Sequence, residues 1–117
     1  MILHITTRNQ WQEAVLLGSY YTSSLDDEGF IHCSTQQQIL RSANEYYHGQ
    51  SDLLLLCIIS SAVKAPIIYE DSYNKGETYP HIYGTLNLDA VLQLFDFPSN
   101  MDGSFSLPAD FMSKFES

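Results

Sequence analysis

The sequence predicts an α+β fold, built as a single domain over residues 1–117. About two segments show apolar residues at helical spacing after a capping sequence, and five or six short apolar segments are typical of strands. These elements are grouped unevenly, which argues against a regular series of strand–helix–strand units. A chain of 117 residues is long enough to close one hydrophobic core without disulfides or a structural metal.

Residues 2–6 are predicted to form the first strand, and a helix follows directly over residues 8–17. Its start is indicated by Thr7, which begins a Thr-x-x-Gln capping box. Its end is indicated by Gly18, because glycine adopts the left-handed conformation that closes many helices. Residues 19–28 show no periodicity and are expected to form a loop, which ends in a solvated acidic turn of Asp26, Asp27 and Glu28.

A strand over residues 30–34 and a second helix over residues 36–48 are predicted next. Ser34 and Thr35 each precede a glutamine by three residues, which is a second capping signature. His48 is expected to end this helix, where a cation interacts favourably with the helix dipole.

Four further strands are predicted in the second half of the chain. The most apolar of these segments is expected to be a central strand, because both of its faces are apolar. The tail over residues 98–117 contains several phenylalanines and is expected to pack along the surface. The four segments are "DLLLLCII", "APIIYE", "YPHIYG" and "AVLQLFDF".

The composition excludes several classes of partner. Fourteen acidic residues against five basic ones give a net charge of −9, which disfavours binding to nucleic acid or to an anionic membrane. The longest apolar run is far shorter than the ~20 residues of a membrane-spanning helix, and the first residues do not resemble a signal peptide. Two cysteines without metal-ligand spacing fit reduced thiols, so a cytoplasmic protein with a small-molecule ligand is expected. The oligomeric state is left open.

Three of the four histidines stand on predicted strands, each two residues before a hydroxyl group. Side chains two residues apart on a strand share a face, so each histidine is paired with that hydroxyl. If the three strands are neighbours, the imidazoles and hydroxyls converge on a cleft that binds and polarises a small polar ligand. The pairs are His4 with Thr6, His32 with Ser34, and His81 with Tyr83.

Two other residues are included in this candidate site. Glu70 ends a predicted strand, where its carboxylate is a candidate catalytic group, and Gly29 begins the stretch "GFIHCST" as a candidate ligand-binding position. Strand parity argues against a dyad of His32 with the adjacent Cys33, which is expected to be buried. A thiol nucleophile that meets a histidine from another strand remains an alternative for Cys33.

Two other functions are consistent with the same residues. Three neutral imidazoles from His4, His32 and His81 would suit a zinc site with an open fourth position, as in a metal-dependent hydrolase. A cleft that only binds a metabolite, without chemistry, is the other alternative. No short-range ligand spacing supports the metal site.

Several blocks follow one another along the chain: "LHITTRNQW", "GFIHCSTQQQIL", "ANEYY", "DLLLL", "YE", "PHIYGTLNLDAV" and "DGSFSLP". Together these blocks resemble the family known as domain of unknown function 952. The resemblance covers nearly the whole chain and implies the ADP-ribosyltransferase-like fold, in which two small sheets form a cleft with about two helices. That superfamily includes the tRNA 2'-phosphotransferases and the poly-ADP-ribose polymerases, which hold NAD in the cleft.

The resemblance also implies roles for individual residues. His4 matches the histidine that contacts a ribose hydroxyl, and "GFIHCS" matches the second strand of the superfamily pattern. Many transferring members have a glutamate on the third strand, where this chain has His81, so Glu70 or His81 would take its place. The implied function is an NAD- or nucleotide-handling transferase, with NAD as a substrate and with Tyr83 near the reacting centre.

Overall fold

Eight short strands form three antiparallel sheets in the computed structural model, which describes residues 1–115. Four α-helices complete this part of the chain: α1 (Arg8–Leu17), α2 (Ser24–Asp27), α3 (Ile39–Tyr46) and α4 (Ala109–Phe115). The strands are β1 (Ile2–Thr7), β2 (Ser19–Tyr20), β3 (Ile31–His32), β4 (Leu53–Ile58), β5 (Ile67–Glu70), β6 (Tyr79–Ile82), β7 (Leu86–Asn87) and β8 (Val91–Asp96).

The first sheet has the order β1-β4-β8 and separates two hydrophobic clusters. Every residue of β4 is buried, as expected for a strand that is apolar on both faces. Leu55 contributes to one cluster, whereas its neighbour Leu56 contributes to the other. The alternation follows from the pleat, which sends successive side chains to opposite faces.

The sheet that carries two of the histidines has the order β3-β6-β5. His32 on β3 pairs directly with His81 on β6, and Glu70 at the end of β5 pairs with Tyr79. A β2-β7 pair forms the remaining sheet. Directly opposed residues of an antiparallel pair share a face, so the two imidazoles stand side by side.

An isolated bridge joins this sheet to the first one. The backbone amide of Leu3 donates to the Ser34 carbonyl and that of Ser34 donates to the Leu3 carbonyl, each at 2.8 Å. The bridge brings the start of β1 against the residues that follow β3. It therefore places His4 next to His32.

Helix α1 begins and ends where the sequence predicts. The Thr7 side chain accepts a hydrogen bond from the Gln10 amide, and Gly18 adopts a left-handed conformation with φ of 84°. Ala14 is the buried residue of this helix, whereas Leu16 and Leu17 are exposed.

The predicted α+β class is confirmed, but the numbers of elements are corrected. Residues 1–115 contain three sheets and four α-helices, where two sheets and about two helices were expected. The segment 19–28 is not a plain loop, because it contains β2 and α2. The second predicted helix, over residues 36–48, is limited to α3, so His48 lies beyond its end. The tail packs as expected, with Phe111 fully buried, and its last residues, 116–117, lie outside the described part.

No helix within residues 1–115 is both long and apolar enough to cross a membrane.

Candidate functional site

A cavity of about 640 Å³ opens between β1, β3, β6, helix α3 and the loop that joins β5 to β6. All three strand histidines line it, together with Ser34. Its volume falls in the range of roughly 300–1,000 Å³ that small-molecule sites occupy. Four tyrosines supply much of its remaining wall: Tyr46, Tyr47, Tyr73 and Tyr79.

His81, which lines this cavity, is hydrogen-bonded to Glu70. The Nδ1 atom of His81 lies 2.8 Å from Oε1 of Glu70, and the imidazole is buried. A carboxylate accepts, so Nδ1–H donates and Nε2 keeps its lone pair. Nε2 has no hydrogen-bond partner among residues 1–115. Every fully buried side-chain nitrogen in that range has a partner, so Nε2 is not fully buried and is open to the cavity.

Glu70 has a second donor in Tyr83, whose hydroxyl donates to the same Oε1 atom. The hydrogen bonds from Tyr83 and then His81 lower the pKa of the Glu70 carboxyl, and the same contact raises the pKa of Tyr83. Neither Glu70 nor Tyr83 lines the cavity. Both act on the side of the His81 ring that faces away from it.

The His81 ring is also held by packing. Phe30, which is buried, stacks on it with a centroid distance of 3.9 Å and an interplanar angle of 11°. Stacking and the Glu70 contact together restrict the ring to one orientation. The imidazole is thus positioned before any ligand arrives.

His32 is held by a different carboxylate, that of Glu28. Nε2 of His32 lies 3.1 Å from Oε2 of Glu28, and the Tyr73 hydroxyl donates to the same oxygen. This bond with Tyr73 is the largest cause of the lowered pKa of Glu28. The rings of His32 and His81 are 5.4 Å apart in an edge-to-face arrangement.

His4 lines the cavity, but both of its nitrogens are engaged. Nδ1 donates to the His32 carbonyl at 2.5 Å, and Nε2 lies 2.7 Å from the Tyr20 hydroxyl. Burial lowers the pKa of His4 to about 4, so the ring is neutral near pH 7. Because both nitrogens of this neutral imidazole contact other protein groups, His4 positions its neighbours and does not exchange a proton with a ligand.

The hydroxyls and the glycine of the predicted site are separated by the structure. Ser34 lines the cavity, whereas Thr6 is buried beside Tyr20, with their side-chain oxygens 2.7 Å apart. Gly29 adopts a positive φ of 90° in the turn before Phe30 and does not line the cavity. The predicted convergence of three His–hydroxyl pairs is therefore limited to the imidazoles and Ser34.

The geometry does not assemble the alternative metal site or a thiol nucleophile. No group of three or more His, Cys, Asp or Glu side chains that could hold a metal ion occurs within residues 1–115. Cys33 is buried at the cavity wall, and burial raises the pKa of its thiol, which therefore stays protonated.

Sequence reasoning missed residues that complete the site. Glu28, predicted to be part of a solvated acidic turn, instead lies 3.1 Å from His32. It is the C-cap residue of α2 and is followed by Gly29 with a positive φ, so strand alternation does not extend to it. Tyr73 and Lys75 come from the loop between β5 and β6, where no local pattern marks them. Lys75 lines the cavity and bonds Glu45 at 2.8 Å.

A second cavity of about 230 Å³ shares His4, His32 and Tyr47 with the first. Hydroxyl groups from the start of α2 supply much of its wall, including those of Thr22 and Ser24. Aromatic rings line much of the first cavity and hydroxyl groups much of the second, and His4 and His32 line both.

A family model described as "Protein of unknown function (DUF952)" matches residues 5–94. The chain belongs to this family. The matched range includes His32 and His81, which line the cavity, and Glu70, which is hydrogen-bonded to His81. No curated protein matches the chain.

Solved structures extend the DUF952 fold to a bacterial relative. The crystal structure of protein CC0527 from Caulobacter crescentus is 29% identical, with a TM-score of 0.83, and the match covers 96% of this chain and 97% of that one. The crystal structure of a double mutant of CC0527 gives the same values. The solution NMR structure of CC0527 is 25% identical over 97% of this chain and 95% of that one, with a TM-score of 0.73.

Proposed function

We propose that this DUF952 chain is a transferase that binds NAD or a related nucleotide in the 640 Å³ cavity and uses His81 as its general base. The observation that carries the proposal is the Glu70–His81 pair, whose open Nε2 faces that cavity. The proposal includes the ADP-ribosyltransferase-like fold that the sequence resemblance implies.

The pair has the properties that a general base needs. The carboxylate of Glu70 fixes the tautomer of His81 and stabilises the imidazolium that forms when Nε2 takes a proton. The lowered pKa of Glu70 keeps this carboxylate ionised at neutral pH. The group that faces the ligand is therefore an imidazole, and Glu70 supports it from behind in place of the superfamily glutamate.

The walls of the two cavities fit the parts of a nucleotide. Tyrosine rings such as those of Tyr46 and Tyr73 offer apolar faces for a planar base, and the hydroxyls of the smaller cavity suit a ribose. The net charge of −9 favours a small nucleotide over a nucleic acid as the partner. Two free, buried cysteines support a reducing compartment, and we place the protein in the cytoplasm.

Calorimetry with NAD, ADP-ribose and nicotinamide at millimolar concentration tests binding, and chromatography of the products from NAD tests turnover. The decisive variant is His81→Asn, because its amide nitrogen still donates to Glu70 while the Nε2 base is removed. We expect this variant to bind like wild type and to lose turnover by about 100-fold or more. His48→Gln, at an exposed histidine that does not line the cavity, is the matched control and should retain turnover.

Each other result has a clear meaning. Absence of binding to all three compounds would show the proposal to be wrong. If the wild type binds but does not turn over, or His81→Asn changes only affinity, the chain is a metabolite-binding module without chemistry.

A further inference from the structure

We infer that His32 is a second acid–base residue of the same site and delivers the proton that a leaving oxygen needs. The inference rests on the proposed function and narrows its substrate class. It adds a second, separately held carboxylate–imidazole pair, Glu28–His32, to the Glu70–His81 pair.

Strands β3 and β6 pair directly at the two histidines. His32 and His81 oppose one another in this antiparallel pair, so their side chains leave the sheet on the same face. Their ring centroids are 5.4 Å apart, and both rings line the same cavity. Two atoms of one bound ligand can therefore contact the two imidazoles at the same time.

Contacts with Glu28 and Tyr73 orient the His32 imidazole. Nε2 of His32 lies 3.1 Å from Oε2 of Glu28 and 3.4 Å from the Tyr73 hydroxyl, and the stacked ring of Tyr73, 5.9 Å away, covers one face of the imidazole. Nδ1 has no hydrogen-bond partner within residues 1–115 and is not fully buried. It is the ring atom left for a ligand.

The two carboxylate–imidazole pairs are assigned different roles, one as the acid and one as the base. His81 donates from Nδ1 to Glu70 and offers its Nε2 lone pair as the base, and His32 is the second imidazole on the same face, to which we assign the acid role. The charged and titratable groups around His32 are Glu28, Tyr73, His81 and the neutral His4. An acid beside a base on one face suits a group transfer between two atoms of the ligands.

The reaction balances without a further reactant. The O–H bond of an acceptor hydroxyl or of water breaks, its proton goes to His81 Nε2, and its electron pair forms a bond to the electrophilic carbon or phosphorus. The bond from that atom to the leaving oxygen breaks, and the oxygen takes the proton from His32 Nδ1. Solvent then restores both imidazoles.

This chemistry separates two classes of substrate. Nicotinamide leaves NAD as a neutral base and needs no proton, so an acid at His32 is of no use for that bond. An oxygen leaving group, such as that of a phosphoanhydride or phosphate ester of a nucleotide, departs with negative charge, which a proton from His32 neutralises. The second acid therefore favours cleavage at an oxygen-linked bond.

The kinetic test uses NAD itself as the probe, because its two bonds give different products. P–O cleavage gives AMP, and C–N cleavage gives free nicotinamide. The variant His32→Gln keeps a donor to Glu28 and removes Nδ1. We expect AMP from the wild type, and for His32→Gln a kcat about 100-fold lower with little change in KM. Nicotinamide as the product, at an unchanged rate in His32→Gln, would overturn this inference while leaving the proposed function intact.

A second test needs no turnover. Nitrogen NMR of the imidazoles is expected to show neutral His32 with its proton on Nε2, and Glu28→Ala should abolish this preference while Glu28→Gln, which keeps an acceptor, restores it. The matched control is Asp27→Ala, at an exposed neighbouring carboxylate. A proton on Nδ1, or no effect of Glu28→Ala, would overturn the role assigned to His32, whether or not NAD is turned over. Absence of NAD turnover would instead count against the proposed function.

Discussion

The imidazole of His4 donates from Nδ1 to the backbone carbonyl of His32, 28 residues along the chain, at 2.5 Å. Its other nitrogen lies 2.7 Å from the Tyr20 hydroxyl. The contact ties β1 to β3 directly behind the candidate catalytic histidines. His4 therefore positions the site, and its substitution should act first on stability.

Replacing His4 with alanine is expected to lower the free energy of unfolding by about 2–4 kcal/mol. The change removes the His4 partner of the His32 carbonyl and one of the two partners of the buried Tyr20 hydroxyl, which keeps its bond to Thr6. Urea unfolding followed by circular dichroism measures the difference. The exposed His48→Ala is the control, with a change within about 0.5 kcal/mol, and an equally small loss for His4→Ala would contradict a supporting role.

The free energy of unfolding is expected to decrease as the pH falls, because of the same residue, His4. Burial lowers the pKa of folded His4 to about 4 from its ordinary 6.5, so the unfolded chain binds the proton first as the pH falls. The contribution is complete above pH 6.5 and is lost progressively towards pH 4, by about 3 kcal/mol in total.

The measurement is the difference in unfolding free energy between wild type and His4→Ala across this pH range. Carboxylates titrate in both proteins and cancel in the difference. It should shrink as the pH falls, whereas the difference between wild type and His48→Ala should stay level. A constant difference for His4→Ala would mean that His4 does not resist protonation.

Tyr83→Phe is expected to raise the pKa of the Glu70 carboxyl towards its ordinary value. The Tyr83 hydroxyl is the largest cause of the lowered pKa, and His81 contributes next, so part of the lowering should remain. Carbon NMR of the carboxyl group during a pH titration gives the pKa directly. Tyr69→Phe, an exposed tyrosine on the same strand as Glu70, serves for comparison, and an unchanged Glu70 pKa in Tyr83→Phe would count against the hydrogen bond.

Phe111→Ala is expected to cost about 3–5 kcal/mol of stability. The ring is fully buried and packs edge-to-face on Phe95 at 5.7 Å, so its loss leaves a cavity in the cluster beside β4. Thermal and urea unfolding report the change. The next residue, Met112, is half exposed, and its alanine variant should lose far less. Similar losses for both variants would mean that α4 is not docked through Phe111.

Strand parity allowed part of the site to be predicted. His32 and His81 lie on the face that alternation assigns to them, and Cys33 is buried as the same rule requires. Parity does not say which strands pair, so it gave His4 the same role as the other two. The bridge between Leu3 and Ser34 decides that His4 lies behind His32, with its nitrogens used internally.

The carboxylates show the same limit. Glu70 was predicted as a candidate from its place at a strand end, but its partner depended on the register of β5 against β6. Glu28 looked like part of a solvated turn, because acidic runs are usually exposed. Its contact with Tyr73 links it to the loop between β5 and β6.

Local features were determined by the sequence alone. Helix α1 begins after Thr7 and ends at Gly18, and the continuous apolar run of β4 makes it the central strand. Capping and the burial of continuous apolar segments depend on neighbours in the chain. The placing of His32 opposite His81, and of each beside its own carboxylate, was decided by tertiary structure. Those contacts join segments distant in sequence, and only the pairing of the folded strands selects them.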